Sequence, residues 1–146
     1  RGLAAALMLG AAGILVGTRF CATPEFISHD QVKARILANG GDATMRTSIF
    51  DMARRRDWPA DYTGRVLANS FTERWHGDET GLAENLLDEA KRHAAADKAG
   101  DFDTAVIHCG EGIDMINDIV PAADLVPRLV AEAEAALAGV SIAASP

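Results

Sequence analysis

Gly17 and Thr18 stand where an apolar run, Ile14-Leu15-Val16, gives way to a hydroxyl and a cation, Arg19. A glycine lets the backbone come close to a ligand, its neighbours present N–H groups, and a helix starting just beyond adds partial positive charge. That is the chemistry of phosphate binding at the carboxyl end of a parallel strand. Spacing alone leaves two readings open, this one and a plain strand-end turn. It leaves Arg19 open too, as a phosphate partner or a solvated or structural cation.

The other reactive residue types do not assemble by spacing. Cys21 is a small apolar residue rather than a nucleophile on this pattern, because no histidine follows it at a recognisable interval. His29, His76, His93 and His108 form no ligand cluster, and His108-Cys109 lacks the matching partners of a zinc site, so no metal is expected. Arg54-Arg55-Arg56, beside Trp58, is a solvated run, with an anion contact as the alternative. Glu111 lies between Gly110 and Gly112, in a loop that flexible glycines could fold over a pocket.

The elements that must position these residues follow from periodicity. Leu3, Leu7 and Ala11 share one helical face, and alanines fill the others, which suits a helix packed closely against a neighbour. Gly10 or Gly13 ends it, and Ile14 to Val16 is expected as a short buried strand of a parallel sheet. Helix, glycine turn and strand are half of a βαβ unit. Thr23-Pro24-Glu25 has the pattern of a helix start, Ser28 is a second candidate cap, and Asn39-Gly40-Gly41 ends that helix. "TMRTSIF" alternates as a short strand would.

Beyond Trp58-Pro59, residues Thr63 to Trp75 are expected to be helical. Leu82, Leu86 and Ala90 repeat every four residues in a helix that Gly100 ends, with Asp88 one turn before Arg92. In the last helix, Asp124 as cap would put Pro127 in the first turn, where its missing N–H costs nothing. One strand and about six helices are an odd inventory for a complete α/β domain, since a lone parallel strand has no hydrogen-bonding neighbours.

With 146 residues the chain can bury a core, and an apolar fraction of 49% with 24% charged is ordinary for a globular protein. Two cysteines without a regular spacing argue against a disulfide scaffold and suit a reducing compartment. Residues 1–76 hold 10 basic against 7 acidic side chains, and residues 77–146 hold 4 against 14. The net charge of −7 with 5% aromatics makes a poor nucleic-acid binder, so no such partner is expected. Arg1 followed by "GLAAALMLGAAGILV" has the outline of a secretion signal. The run is shorter than the roughly 20 residues of a membrane helix, Gly10, Gly13 and Gly17 interrupt it, and Phe20 precedes Cys21 where a lipoprotein needs a small residue. Helix, turn and strand is the better parse, and the expected location is the cytoplasm with no membrane partner.

The first 25 residues, "RGLAAALMLGAAGILVGTRFCATPE", closely resemble the end of the flavin-binding barrel in the nitronate monooxygenase family, formerly called 2-nitropropane dioxygenases. In that family an Asp-Gly-Arg-Gly turn precedes an alanine-rich helix, and the next strand ends in Gly-Thr. Arg1-Gly2 would be the last two residues of the turn. "WPADYTGRVLANSFTERWHG" resembles the family's tail region, and "CGEGIDMINDIVPAADLV" its closing segment, where Gly-Gln is often written for Gly110-Glu111. The resemblance covers essentially the whole chain.

It implies an α/β fold: the C-terminal part of an FMN-binding (β/α)8 barrel followed by a mainly helical segment. Residues 1–40 would hold the seventh helix, the eighth strand, the phosphate loop and the eighth helix, and residues 41–146 the helical segment of the same enzyme. Gly17 and Thr18 match the motif whose backbone N–H groups hold the FMN phosphate, together with glycines after strand seven that this chain lacks. Such sites form in these barrels from the loops after strands seven and eight. The family oxidises a nitronate with dioxygen to a carbonyl compound and nitrite, the flavin carrying the electrons. Its catalytic histidine lies upstream of the matched region, so none of the four histidines here inherits that role. The resemblance therefore implies that the chain alone binds FMN weakly or not at all and has no nitronate activity. Two other readings remain: a flavin-dependent enoyl-acyl-carrier-protein reductase of the same barrel type, and a helical interaction module without catalysis.

Overall fold

The structure, a computed structural model, describes residues 1–59 and 61–139. They form two compact units, Arg1–Phe26 with Ile119–Pro146 and Ile27–Asp118. The expected tail "SIAASP" lies outside the described residues.

The first unit holds α1 (Gly2–Met8), the single turn α2 (Thr18–Cys21) and α8 (Ala122–Ala138). α1 packs on α8 and buries Ala4, while α8 buries Leu125 and Ala133. Small residues at that contact let the two helices approach closely, as the alanine-rich sequence predicts. Between α1 and α2, residues Ile14 to Val16 are not a strand. Leu15 is 102% exposed and Val16 half-buried, and the run has no ladder partner among the described residues. The expected strand fails for the reason its isolation suggests: a backbone whose N–H and C=O groups find no neighbouring strand has nothing to form a ladder with.

Thr23-Pro24-Glu25 starts no helix either. Thr23 Oγ1 instead donates to the Phe20 carbonyl at 2.8 Å, and Glu25 Oε1 accepts from the Ala122 N–H at 2.9 Å. Glu25 thereby satisfies an orphan donor at the start of α8 from a distant point in the chain. This moves the start of α8 ahead of Asp124, so Pro127 lies inside the helix rather than in its first turn.

In the second unit, α3 (Asp30–Ala38) starts two residues after Ser28, with His29 rather than Ser28 at the cap position. β1 (Thr44–Thr47) is the strand foreseen in "TMRTSIF", and it pairs antiparallel with β2 (Gly64–Leu67), Met45 opposite Val66. β2 is a correction to the expected helix over Thr63 to Trp75. The helical pattern is real only for α5 (Ser70–Trp75), because Asn69 stops the strand and caps α5. Its side chain accepts from the Phe71 and Thr72 N–H groups, and its Nδ2 donates to the carbonyls of Phe102 and Ala105 at 3.2 and 2.9 Å. Residues 107–109 add a third, short edge to the sheet: the Leu67 N–H bonds the Ile107 carbonyl and the Cys109 N–H bonds the Arg65 carbonyl.

The expected long helix through Leu82 and Ala90 is two helices, α6 (Glu79–Glu84) and α7 (Leu86–Ala99), broken at Asn85. Asn85 Nδ2 donates back to the Gly81 carbonyl, so the side chain competes with the helix ladder at the break. Gly100 ends α7 with φ of +72°, as its type predicts. Asp88 pairs with Lys91 and Glu89 with Arg92, rather than Asp88 with Arg92. α4 (Ile49–Ala53), the β1–β2 pair, α5 and α6 enclose the core of Ile49, Phe50, Ala53, Val66, Phe71, Trp75 and Leu82. Phe50 stacks on Phe71 at 5.0 Å, and the His93 ring meets both edge-on. No described helix is long and apolar enough to cross a membrane.

Candidate functional site

Gly17 and Thr18 lie at the entrance to a single helical turn. Gly17 is the N-cap of α2, and the Phe20 N–H closes the turn onto its carbonyl at 2.9 Å. No heavy atom outside its neighbours lies within 4 Å of where a Cβ would sit, so the backbone at Gly17 is open to an approaching group. That opening fits one wall of a phosphate site. With only four residues, α2 adds little dipole of its own. Arg19 turns its Nη1 to the Ala22 carbonyl at 3.3 Å, which bends it back along its own turn. Cys21 Sγ lies 3.9 Å from the Gly17 carbonyl. Burial pushes its thiol pKa up, which disfavours a nucleophilic thiolate there.

The remaining candidates belong to the second unit. His29 sits edge-on to Phe102, and His76 shares a 3.3 Å contact with Thr47 Oγ1. His93 is buried and accepts the Val106 N–H at 3.3 Å, a structural role. Burial lowers its pKa, with Asp97 opposing the effect and the Arg54 charge adding to it. Among the described residues no three His, Cys, Asp or Glu side chains come together as a metal site. Glu111 leads the short turn Glu111–Met115 and pairs with Arg65 at 3.3 Å. Three residues further on, Asp114 Oδ2 accepts the Gly41 N–H at 2.9 Å.

Spacing gave no sign that Arg54 and His108 would meet. The bridge between Val66 and His108 sets the 107–109 segment beside β2, and α4 delivers Arg54 from the other side. Arg54 Nη1 lies 2.9 Å from His108 Nε2. A guanidinium only donates, so Nε2 must be the unprotonated acceptor and the ring neutral, with its proton on Nδ1. Desolvation and the Arg54 charge both lower the His108 pKa, against an opposing pull from Asp51. The β2 backbone packs directly on this imidazole, since a Cβ at Gly64 would lie 3.4 Å from the His108 ring.

Arg55 takes the left-handed conformation, φ 54°, where a side chain costs roughly 1 kcal/mol. This turn sends Arg54 and Arg56 into one cleft and leaves Arg55 out of its lining. The cleft of about 440 Å³ is walled by Asp51, Arg54, Arg56, Trp58, Tyr62, Thr63, Gly64 and His108. The run of three arginines was thus half legible: an anion contact was the alternative reading, but only the strained turn selects which two arginines face inward.

The nitronate monooxygenase family model matches residues 1–132. The nitronate monooxygenase npaC of Metarhizium robertsii is 35% identical over 104 residues, which are 69% of this chain and 28% of that protein. The nitronate monooxygenase of Neurospora crassa is 31% identical over 137 residues, 92% of this chain and 35% of that protein. The structure of FabK from Thermotoga maritima superposes with a TM-score of 0.70 at 26% identity, over 94% of this chain and 42% of that one. The chain therefore has an α/β fold similar to that of FabK and spans about a third of the length of these curated relatives. With the family match covering both the Gly17-Thr18 turn and the Arg54–His108 cleft, this chain belongs to the nitronate monooxygenase family, a family of flavin-dependent oxidoreductases.

Proposed function

We propose that this chain is the C-terminal part of an FMN-dependent nitronate monooxygenase, acting on alkyl nitronates and dioxygen to give a carbonyl compound and nitrite. The observation that carries the reading is the family match over residues 1–132. Residues 1–40 are then the end of a (β/α)8 barrel, and residues 41–146 the helical segment of the same enzyme. In this assignment the backbone at Gly17 and Thr18 holds the phosphate of FMN from one side. Its open approach at Gly17 supports that role, and glycines after an upstream strand complete the cradle. Bound FMN supplies the redox chemistry, and the part of this chain is to fix the phosphate end so that the ring is held in place. Partner chemistry is limited to small molecules, without nucleic acid or membrane, and the location is cytoplasmic.

A second reading is a flavin-dependent enoyl-acyl-carrier-protein reductase of the same barrel type, which shares the Gly-Thr strand end and a similar closing segment. The test sequences the coding DNA upstream of Arg1 and, where an open frame continues, takes the full-length protein it encodes beside the 146-residue chain. The full-length protein should be yellow with one FMN per chain and should release nitrite from propane-2-nitronate in air. The 146-residue chain should be colourless. Gly17→Val in the full-length protein, which fills the open approach to that backbone, should weaken FMN retention several-fold. Reduction of a 2-enoyl thioester without nitrite release would favour the second reading. A colourless full-length protein would overturn both.

A further inference from the structure

The cleft between α4 and the 107–109 edge has no part in the FMN-phosphate assignment, yet it is built like a ligand site. Its lining lies wholly within Ile27–Asp118. The chain carries a net charge of −7, but this wall gathers two guanidinium groups and one carboxylate. Because His108 is neutral in its bond to Arg54, the local balance is one positive charge. We propose that the cleft binds a small monoanion with a flat apolar body, an aryl carboxylate being the simplest member of the class.

Four observations support this. The volume of about 440 Å³ falls in the range of small-molecule sites. His108 Nε2 occupies a single N–H of Arg54, at Nη1, and leaves its other N–H groups for a ligand. A guanidinium fork matches a carboxylate in a two-bond pairing, which a rotating ammonium does not. Arg56 forms no ion pair with any described carboxylate and supplies a second cation at the mouth.

The fourth observation concerns the body of the ligand. Trp58 and Tyr62 stand 6.4 Å apart on the same wall, both largely exposed. Exposed aromatic faces beside a cationic floor suit a planar apolar group, which stacks while its charge reaches inward. Asp51 sets the limit on charge. A dianion would meet its carboxylate with only two cations to offset both, whereas a monoanion is matched.

The test uses the 146-residue chain and sodium benzoate as probe, monitored by tryptophan emission excited at the red edge. Trp58 is exposed and Trp75 buried, so a ligand in the cleft should quench Trp58 saturably, and Trp58→Phe should remove the response. Arg54→Gln should weaken benzoate at least tenfold, and Arg54→Lys should fail to restore it, because the fork rather than the charge is required. Acetate should bind at least tenfold more weakly than benzoate. If Arg54→Gln loses its helical circular dichroism, Arg56→Gln replaces it, with at least a threefold loss expected. Quenching that rises linearly without saturation would overturn the proposal, as would unchanged affinity in the folded arginine variant. Inorganic phosphate competing as well as benzoate would overturn the flat-monoanion assignment.

Discussion

The unit Ile27–Asp118 buries Phe50, Phe71, Trp75, Ile36, Ile49, Leu82 and Ile113. The unit of Arg1–Phe26 with Ile119–Pro146 buries, among its described apolar residues, only Ala4, Ala22, Leu125 and Ala133. Aromatic side chains each remove on the order of 150–250 Å² from water, while alanines remove little. Yet the thinly packed unit contains the residues whose order most specifically resembles the family. The contrast separates two kinds of sequence information. Family signature reflects the ligand and the neighbours an element meets in its full setting, whereas a core reflects only the side chains a segment can gather by itself. Ile14-Leu15-Val16 is an apolar segment whose Leu15 is fully exposed, and Phe50-Phe71-His93 is a buried cluster.

The largest expected effect tests the packed side of that contrast. Phe50→Ala removes a ring packed against Phe71 and His93 with no exposed edge. It should cost about 3–5 kcal/mol, seen as a lowered urea midpoint and loss of the near-ultraviolet aromatic signal. A cost under about 1 kcal/mol would mean that this cluster does not hold the unit together, and the comparison would collapse.

How much of this was legible depended on where the deciding interaction lay. β1 and the Gly100 stop could be read because each is set by local chemistry: an alternating run, and a glycine able to adopt positive φ. β2 was misread because Val66, Leu67, Phe71 and Trp75 also fit a helical face. Only the contacts of Asn69 with the carbonyls of Phe102 and Ala105, more than 30 residues away, show where strand gives way to helix. The early start of α8 depends likewise on Glu25, 97 positions distant. At the candidate sites, Gly17 and Thr18 were found through family pattern rather than spacing. Arg54 and His108 were missed as a pair because 54 residues separate them and only the sheet edge unites them.

A middle-sized effect concerns pH and again favours one unit. His93 and His108 both belong to Ile27–Asp118, and both have pKa values lowered from 6.5, chiefly by burial. A histidine with a depressed folded pKa binds fewer protons folded than unfolded between the two values. Stability is therefore full above about 6.5 and falls as pH drops through the folded pKa. Urea midpoints measured from pH 7.5 down to 5 should decline across that window. Replacing His93 by glutamine, which cannot charge, should flatten the decline while lowering the plateau. An unchanged slope in that variant would assign the acid sensitivity to other groups.

The smallest effect tests the exposed side. Leu15 is fully solvated, so Leu15→Ser removes no buried surface from the 146-residue chain and should change its stability by less than about 0.5 kcal/mol. In the full-length protein, the proposed barrel would make residues 14–16 its eighth strand and bury that side chain. The same substitution should then cost about 2–5 kcal/mol, the range for emptying a buried leucine site, with added cost from the hydroxyl. The ratio of the two effects is the measurement, and urea midpoints of both lengths supply it. Equal, small effects in both lengths would mean that the apolar run is no strand in either setting. Equal, large effects would mean that Leu15 is covered in the short chain as well. A large effect confined to the full-length protein would identify the exposed run as a strand whose neighbours lie upstream.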